Sequence, residues 1–211
     1  MKAIGIFGAS GFAREVADIV DALGMRAICI ARDRAERDEW AFPGEVMLES
    51  EIERYPDMAF TIGVGENAVR ARIAERVGSR AGFTTLIHPS ATFGTGQREV
   101  IEAGAGIIVC AGVRFTNNIR VGDFSIFNLN ATVGHDVIVD EFVNLAPGVA
   151  ISGNVHLGAG SMIGTGAAVN QGTPSAKLII GARTVVGSGA VVVKDCDEDA
   201  VYVGIPARRI K

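Results

Sequence analysis

Three histidines are the only imidazoles in the chain, and they come first as candidates for proton transfer: His88, His135 and His156. His135 differs from the other two because Gly134 precedes it and Asp136 follows it. Imidazole has an unperturbed pKa of about 6.5, so at neutral pH it accepts a proton from an attacking amine or hydroxyl group. A neighbouring carboxylate orients the ring and stabilises the imidazolium that forms. His135 and Asp136 are therefore the predicted catalytic pair.

This pair has a geometric requirement. Adjacent residues of a strand point to opposite faces, so His135 and Asp136 meet only if the chain turns a corner there, as Gly134 indicates. The alternatives are an ordinary surface histidine and an aspartate that serves only to solvate a turn.

Metal and disulfide chemistry are not favoured by the sequence. The three cysteines, Cys29, Cys110 and Cys196, form no CxxC pair. A zinc hydratase needs three converging imidazoles, whereas His135 and His156 lie 21 residues apart and no His-x4-His occurs. We expect reduced cysteines and no metal site.

The composition indicates a glycine-rich protein with an apolar core. Of 211 residues, 27 are glycine and 48% are apolar, and the formal net charge is −4. The apolar share argues against disorder, and the negative charge without a basic stripe disfavours nucleic acid and anionic membranes as partners. No apolar run approaches the length of about 18 residues typical of a membrane span, and the N-terminus lacks a signal-peptide pattern. The sequence therefore predicts a cytoplasmic protein.

Charge density divides the chain in two, because residues 1–99 carry 27 of the 44 charged side chains and residues 100–193 carry only nine. The first region alternates between strand and helix patterns, which predicts an α/β domain with a short parallel sheet. The predicted segments are a strand at Ala3–Phe7, a helix from Phe12 to Leu23 ended by Gly24, strands at Arg26–Ile30 and Met58–Val64, a helix with Asn67 as N-cap, and an extended Phe83–Ile87.

The second region repeats every six residues. From Ala103 to Val169, eleven of the twelve residues at this spacing are bulky and apolar, and the repeat resumes at Ile180 after an insertion around Gln171–Ala176. A period of six suits a short strand followed by a tight corner, and three such units form one coil of a parallel β-helix. A β-sandwich would show alternation at less regular spacing.

The coil length identifies neighbours of His135. Three six-residue units make about eighteen residues per coil, so Gly153 stacks on one side of His135 and Asn117 on the other. A glycine at this position leaves space for a ligand and offers an N–H group to a developing oxyanion. The alternative is an ordinary corner glycine.

Four stretches, together with Gly134-His135-Asp136, resemble the NeuD/PglD type of sugar acyltransferase within the hexapeptide-repeat acyltransferases. They read GASGFAREV at 8–16, GVGEN at 63–67, LIHPSA at 86–91 and VGIPAR at 203–208, and they cover nearly the whole chain in the family's order. The resemblance implies a Rossmann-like domain over residues 1–86 followed by a left-handed parallel β-helix over residues 87–211.

The same resemblance implies a homotrimer with active sites between subunits. Such an enzyme transfers an acetyl group from acetyl-CoA to the amine of a nucleotide-linked 4-amino-4,6-dideoxysugar. The residues implied to bind substrate are Ser10, Gly11, Phe12, Asp33, Gly63, Gly65 and Asn128, and those implied to bind acetyl-CoA are Asn144, Gly153 and Thr165. Two of these depart from the family pattern, because some relatives carry histidine in place of Phe12 and of Asn144.

Other functions remain open at this stage. The alternatives are O-acetylation of sialic acid or another sugar, and a non-catalytic scaffold that binds nucleotide. An NAD-linked oxidoreductase is disfavoured because Gly8–Ala13 reads GxxGxA instead of GxGxxG, although the helix that begins there can still receive a diphosphate at its N-terminus.

Overall fold

A computed structural model describes residues 2–40 and 44–211 of the chain. The first domain is an α/β unit that contains two short 3₁₀ helices, Glu49–Arg54 and Gly78–Arg80. Its other elements are β1 (Ala3–Phe7), α1 (Gly11–Ala22), β2 (Arg26–Ala31), α2 (Arg34–Asp38), β3 (Glu45–Leu48), β4 (Ala59–Ile62), α3 (Asn67–Val77) and β5 (Gly82–Phe83). The strands form one parallel sheet in the order β3-β2-β1-β4-β5. The predicted α/β domain with a parallel sheet is confirmed.

Helix α1 packs on this sheet through one apolar face. Ala13, Val16, Ile19 and Val20 are buried, at the spacing that an amphipathic helix requires. Gly24, with a φ of +70°, follows the last turn of the helix and lets the chain reverse into β2.

The start of α3 differs from the prediction. Glu66 occupies the N-cap position, and Asn67 is the first helical residue. The Asn67 side chain does not cap the helix, because its amide donates to the carbonyl oxygens of Gly160 and Ser161 at 2.8 and 3.0 Å. The residue therefore joins the two domains.

The second domain is a parallel β-helix with three sheets of four, eight and six strands. Paired residues lie 18 positions apart, as in Ile126 with Asn144 and Thr132 with Ala150, which confirms the predicted coil. Its elements are β6 (Leu86–Ile87), β7 (Thr92–Phe93), α4 (Gln97–Glu102), β8 (Ile108–Val109), β9 (Arg114–Phe115), β10 (Arg120–Val121), β11 (Ile126–Phe127), β12 (Thr132–Val133), β13 (Ile138–Val139), β14 (Asn144–Leu145), β15 (Ala150–Ile151), β16 (Val155–Leu157), β17 (Met162–Ile163), β18 (Ala168–Val169), β19 (Leu178–Ile180), β20 (Val185–Val186), β21 (Val191–Val192), β22 (Val201–Val203) and β23 (Arg208–Arg209).

The interior of the β-helix consists of the repeated apolar residues. The second residue of most strands points inward, and Val109, Phe127, Leu145 and Ile163 have no exposed surface. Ala103 is an exception to the predicted repeat, because it follows α4 at the surface and contributes no strand. The helix α4 replaces one six-residue unit.

Several corners of the β-helix are in the left-handed conformation, and two sets of these corners each form a column along the surface. The first corner column contains Asn118, Asp136 and Asn154, with φ between 54° and 61°. The second corner column contains Phe124, Phe142 and Gly160, with φ between 57° and 67°. Within each column, the residues lie one coil apart.

Two further details locate the domain junction and the insertion. Leu86 already pairs with Ile108, so β-helix pairing begins one residue before the predicted boundary. His156 pairs with Ile179, 23 positions later, so the inserted segment widens a single coil. Within residues 2–40 and 44–211, no helix combines the length and apolar character needed to cross a membrane.

Candidate active site

His135 and Asp136 form a hydrogen-bonded pair at a corner of the β-helix. Nδ1 of His135 lies 2.7 Å from Oδ2 of Asp136. Asp136 has a φ of 61°, and this left-handed conformation removes its side chain from the strand alternation that would separate the two groups. The contact with Asp136 places the proton on Nδ1 and leaves the lone pair of Nε2 to accept another. The catalytic role of the pair remains a prediction.

Asp136 is held as a carboxylate by its neighbours. Its second oxygen, Oδ1, accepts a hydrogen bond from the side-chain amide of Asn118. The pKa of Asp136 is lowered first by the hydrogen bond with His135, then by that with Asn118, and further by the nearby charges of His135 and Lys177. The carboxylate is therefore ionised throughout the neutral range.

Lys177, which follows the inserted segment, links Asp136 and Asn154 of the first corner column. Its Nζ donates to the backbone oxygen of Asp136 and to Oδ1 of Asn154, the latter at 2.9 Å. Asn154 in turn donates to the carbonyl of Thr173 at 2.6 Å. These groups line a cavity of about 460 Å³ beside His135, together with Asn118, Arg120, Asp136, Ile138, Gln171 and Pro174.

The imidazole of His135 lies directly over Gly153. A Cβ atom at Gly153 would be 2.5 Å from Nε2 and 2.6 Å from Cε1 of that ring. The predicted stacking of the two residues is present, and the imidazole lies against the space that the glycine leaves. The ring is also held by the contact of its Nδ1 with Asp136.

We expect Asn118→Gly to lower kcat/KM by about five- to tenfold, since one hydrogen bond to the Asp136 carboxylate is lost. Glycine keeps the left-handed backbone of this corner without strain. Loss of the Asn118 contact raises the pKa of Asp136 towards its ordinary value. Asp136 stays ionised throughout the neutral range in both proteins, so the loss of activity should be about the same at every pH in that range. A pH profile of kcat/KM checks this.

The matched control is Asn130→Gly, which makes the same change at another left-handed corner, where φ is 58°. Asn130 does not line the cavity beside His135. Equal losses in both variants would show that Asn118 acts only on the fold.

The other two histidines have different surroundings. Nε2 of His156 lies 3.0 Å from Oδ2 of Asp140 on the face of β16. Nδ1 of His88 accepts from the backbone N–H of Ser90 at 3.1 Å, which occupies its lone pair. Neither lines the cavity beside His135. Of the three histidines, His135 is therefore the one that lines this cavity.

The first implied substrate-binding residues lie at the carboxyl end of β1. Ser10 is the N-cap of α1, yet its side chain makes no capping hydrogen bond. Ser10 and Gly11 are exposed, whereas Phe12 is half-buried against the core. A Cβ at Gly63 would be 2.8 Å from the Cα of Ala13, so this glycine allows the end of β4 to pack against α1.

Asp33 caps the short helix α2, where it accepts from the backbone N–H of Glu36 at 3.0 Å. This bond, followed by that from Arg32, lowers the pKa of Asp33. A cavity of about 140 Å³ lies near this loop at the carboxyl ends of β1, β2 and β4, where the strand order of the sheet reverses and ligands of such sheets bind. Its lining residues are Phe7, Gly8, Ile30, Arg32, Glu36, Glu49, Val64, Val69, Ile73 and Arg76.

The remaining predicted residues are spread over the β-helix and the domain junction. Asn144 is buried, and its amide donates to the carbonyl of Gly65 at 2.7 Å, so it meets the loop after β4. Its contact with acetyl-CoA stays a prediction. Asn128 is half-buried and its Oδ1 accepts from the backbone N–H of Leu129, while Thr165 is exposed. In the described part of the chain, neither Asn128 nor Thr165 forms a hydrogen bond with His135.

Sequence patterns do not identify three functional candidates: Asn118, Lys177 and Arg70. The coil length could have located Asn118, because 18 residues separate it from Asp136. Lys177 directly follows the insertion, which shifts the register of the repeat. Arg70 is fully buried on the packed face of α3, and the spacing of residues on that helix does not reveal its partners.

Comparison with known proteins agrees with these features. Residues 3–77 match the family described as the PglD N-terminal domain. GDP-perosamine N-acetyltransferase of Escherichia coli O157:H7 is 26% identical over 219 residues, which span 100% of this chain and 97% of that protein. The acetyltransferase domain of PglB from Neisseria gonorrhoeae FA1090, solved with acetyl coenzyme A, is 28% identical with a TM-score of 0.85 and covers 99% of both chains. PerB from Caulobacter crescentus, solved with CoA and GDP-perosamine, is 26% identical with a TM-score of 0.84, covering 100% of this chain and 98% of that one.

The parallel α/β domain followed by a three-sided β-helix is the architecture that this chain shares with these solved acetyltransferases. The matches along the full length go one step further. They confirm the predicted resemblance to NeuD/PglD-type sugar acetyltransferases, and with it the prediction that this chain is an acetyltransferase.

Proposed function

We propose that the protein transfers an acetyl group from acetyl-CoA to the amine of a nucleotide-linked 4-amino-4,6-dideoxysugar. The observation that carries the proposal is the hydrogen-bonded His135–Asp136 pair, both members of which line a cavity of about 460 Å³. The donor is supported by the related structures that contain CoA or acetyl coenzyme A. The acceptor class is supported by the relative that acts on GDP-perosamine and matches the whole length of the chain.

In the proposed reaction, Nε2 of His135 removes a proton from the amino group as its nitrogen attacks the thioester carbonyl carbon. A C–N bond forms and the C–S bond breaks, so the sulfur of CoA leaves and takes up the proton from the imidazolium. Asp136 stabilises the imidazolium between these steps, since it remains ionised. The two protein groups thus return to their starting state.

The nucleotide part of the acceptor is assigned to the α/β domain. Ser10 and Gly11 present the uncapped N-terminus of α1, whose N–H groups suit a diphosphate. Gly63, Gly65 and the cavity of about 140 Å³ lie at the same end of the sheet. We assign Phe12 and Asp33, which flank this end, to substrate binding as well.

The proposal includes a homotrimer with active sites between subunits. Met162 and Val185 pair across neighbouring strands of the eight-stranded sheet, and 39% and 38% of their surfaces are exposed. An apolar outer face of this kind suits contact with another copy of the chain. Asn144, Gly153 and Thr165 remain the proposed contacts of acetyl-CoA.

Incubation of the purified protein with acetyl-CoA and a panel of acceptors tests this function. The panel contains UDP-, GDP- and dTDP-linked 4-amino sugars and free sialic acid, and products are identified by mass. We expect a gain of one acetyl group on at least one nucleotide-linked amino sugar. Acetylation of sialic acid alone would favour the O-acetyltransferase alternative, and nucleotide binding without any product would favour a scaffold.

A further inference from the structure

A buried arginine connects the two domains. Arg70 has no exposed surface, and its guanidinium forms hydrogen bonds only with oxygen atoms of carbonyl and amide groups. These acceptors are the backbone oxygens of Phe124 at 2.7 Å, Phe142 at 2.8 Å, Val64 at 3.0 Å, Gly65 at 3.1 Å and Val143 at 3.5 Å, and Oδ1 of Asn67 at 2.9 Å. Burial lowers the pKa of Arg70 to about 10, so the guanidinium still carries its charge at neutral pH.

On the β-helix side, this contact follows the second corner column. Arg70 binds the carbonyl oxygens of Phe124 and Phe142, and Asn67 binds that of Gly160. Within residues 2–40 and 44–211, no backbone N–H donates to any of these three oxygens. Because they lie in three successive coils, Arg70 and Asn67 fix α3 along the β-helix axis as well as against its surface.

On the side of the α/β domain, the same guanidinium holds the loop that follows β4. It donates to the carbonyl oxygens of Val64 and Gly65, and the amide of Asn144 in the β-helix donates to the same Gly65 oxygen. This loop contains Gly63 and Gly65, which are assigned above to acceptor binding. The planar, five-donor guanidinium reaches both sets of oxygens at once, which an ammonium group cannot do.

We propose that Arg70, supported by Asn67, is a positioning residue that holds the acceptor-binding loop 63–66 at a fixed place on the β-helix that bears His135. This inference rests on the proposed function, since it assigns the loop to the acceptor. Transfer requires the amine and the imidazole in hydrogen-bonding geometry, and a small displacement of either site lowers the rate. We therefore expect Arg70 to act more strongly on the acceptor than on acetyl-CoA.

The test compares Arg70→Lys and Asn67→Ala with Arg72→Ala, an exposed arginine on the same helix. Steady-state kinetics are measured below the unfolding temperature with each substrate varied in turn. We expect Arg70→Lys to raise KM for the nucleotide sugar about tenfold. KM for acetyl-CoA should rise by much less, because only Asn144 connects this loop to the proposed acetyl-CoA contacts. Asn67→Ala removes the contacts with residues 160 and 161 and one of the hydrogen bonds of Arg70, so it should cause a smaller change in the same direction. It serves as the test if Arg70→Lys does not fold. Arg72→Ala should match the unmodified enzyme.

Hydrogen exchange of the amides of residues 63–66 gives a second measurement that needs no activity. Exchange should be faster in Arg70→Lys and Asn67→Ala than in Arg72→Ala. Unchanged exchange in this loop, or a KM increase shared equally by both substrates, would overturn the positioning role. Failure of the unmodified protein to transfer acetyl groups would instead count against the proposed function, and the exchange data would still decide the role of Arg70.

Discussion

Acetyl transfer should fall by on the order of 10²- to 10⁴-fold when His135 is replaced by alanine, with the protein still folded. The ring is half exposed at the surface of the β-helix and contributes nothing to its interior. Its Nε2 is the group proposed to remove the proton from the attacking amine, so its loss leaves proton removal to solvent. Steady-state rates with the best acceptor of the panel, together with thermal unfolding and the mass of the assembly, measure the effect.

His156→Ala is the matched control for this replacement. His156 lies in the same β-helix and also pairs with an aspartate, through a contact of 3.0 Å to Asp140. We expect it to retain activity within a few-fold of the unmodified enzyme, because such exposed pairs contribute little to stability. Near-full activity of His135→Ala would remove the residue from the mechanism, and equal losses in both variants would indicate damage to the β-helix.

The repeat in the sequence is strong enough to predict the β-helix and part of the site. Each coil places apolar residues such as Leu145 in the interior, so the six-residue period follows directly from the architecture. The coil length then places Gly153 beside His135 without further information. The pairing of His135 with Asp136 follows only conditionally, because it depends on a left-handed corner that glycine spacing indicates but does not prove.

The parts that could not be predicted depend on contacts between distant segments. Arg70 looks like any charged residue of α3, and its partners Phe124 and Phe142 contribute only backbone oxygens, which no residue type identifies. Asn67 has the residue type of an N-cap, yet its amide is drawn to the β-helix. In both cases, contacts with the other domain determine the role of the side chain, and the neighbouring residues in the sequence do not predict these contacts.

Gly153→Ala is expected to reduce kcat/KM by on the order of 10²-fold without destabilising the protein. The backbone of Gly153 is not in the left-handed region, so alanine fits its conformation. The atoms nearest to the new methyl group would be those of the His135 ring, from 2.5 Å. The ring must therefore move, and Nε2 moves with it. Since a glycine replaced at a compatible backbone conformation loses unfolded-state entropy, the unfolding temperature should stay level or rise.

Two comparisons isolate this effect. Gly134→Ala directs its methyl group at backbone, 2.6 Å from the nitrogen of Gly153 and 2.7 Å from the carbonyl carbon of Ser152, so it should lower the unfolding temperature instead of acting through the histidine. In the His135→Ala background, Gly153→Ala should cause no further loss of the residual rate, because the ring it displaces is absent. Additive losses in the double variant would show that the new methyl group obstructs the reaction independently of His135, since alanine keeps the backbone N–H group.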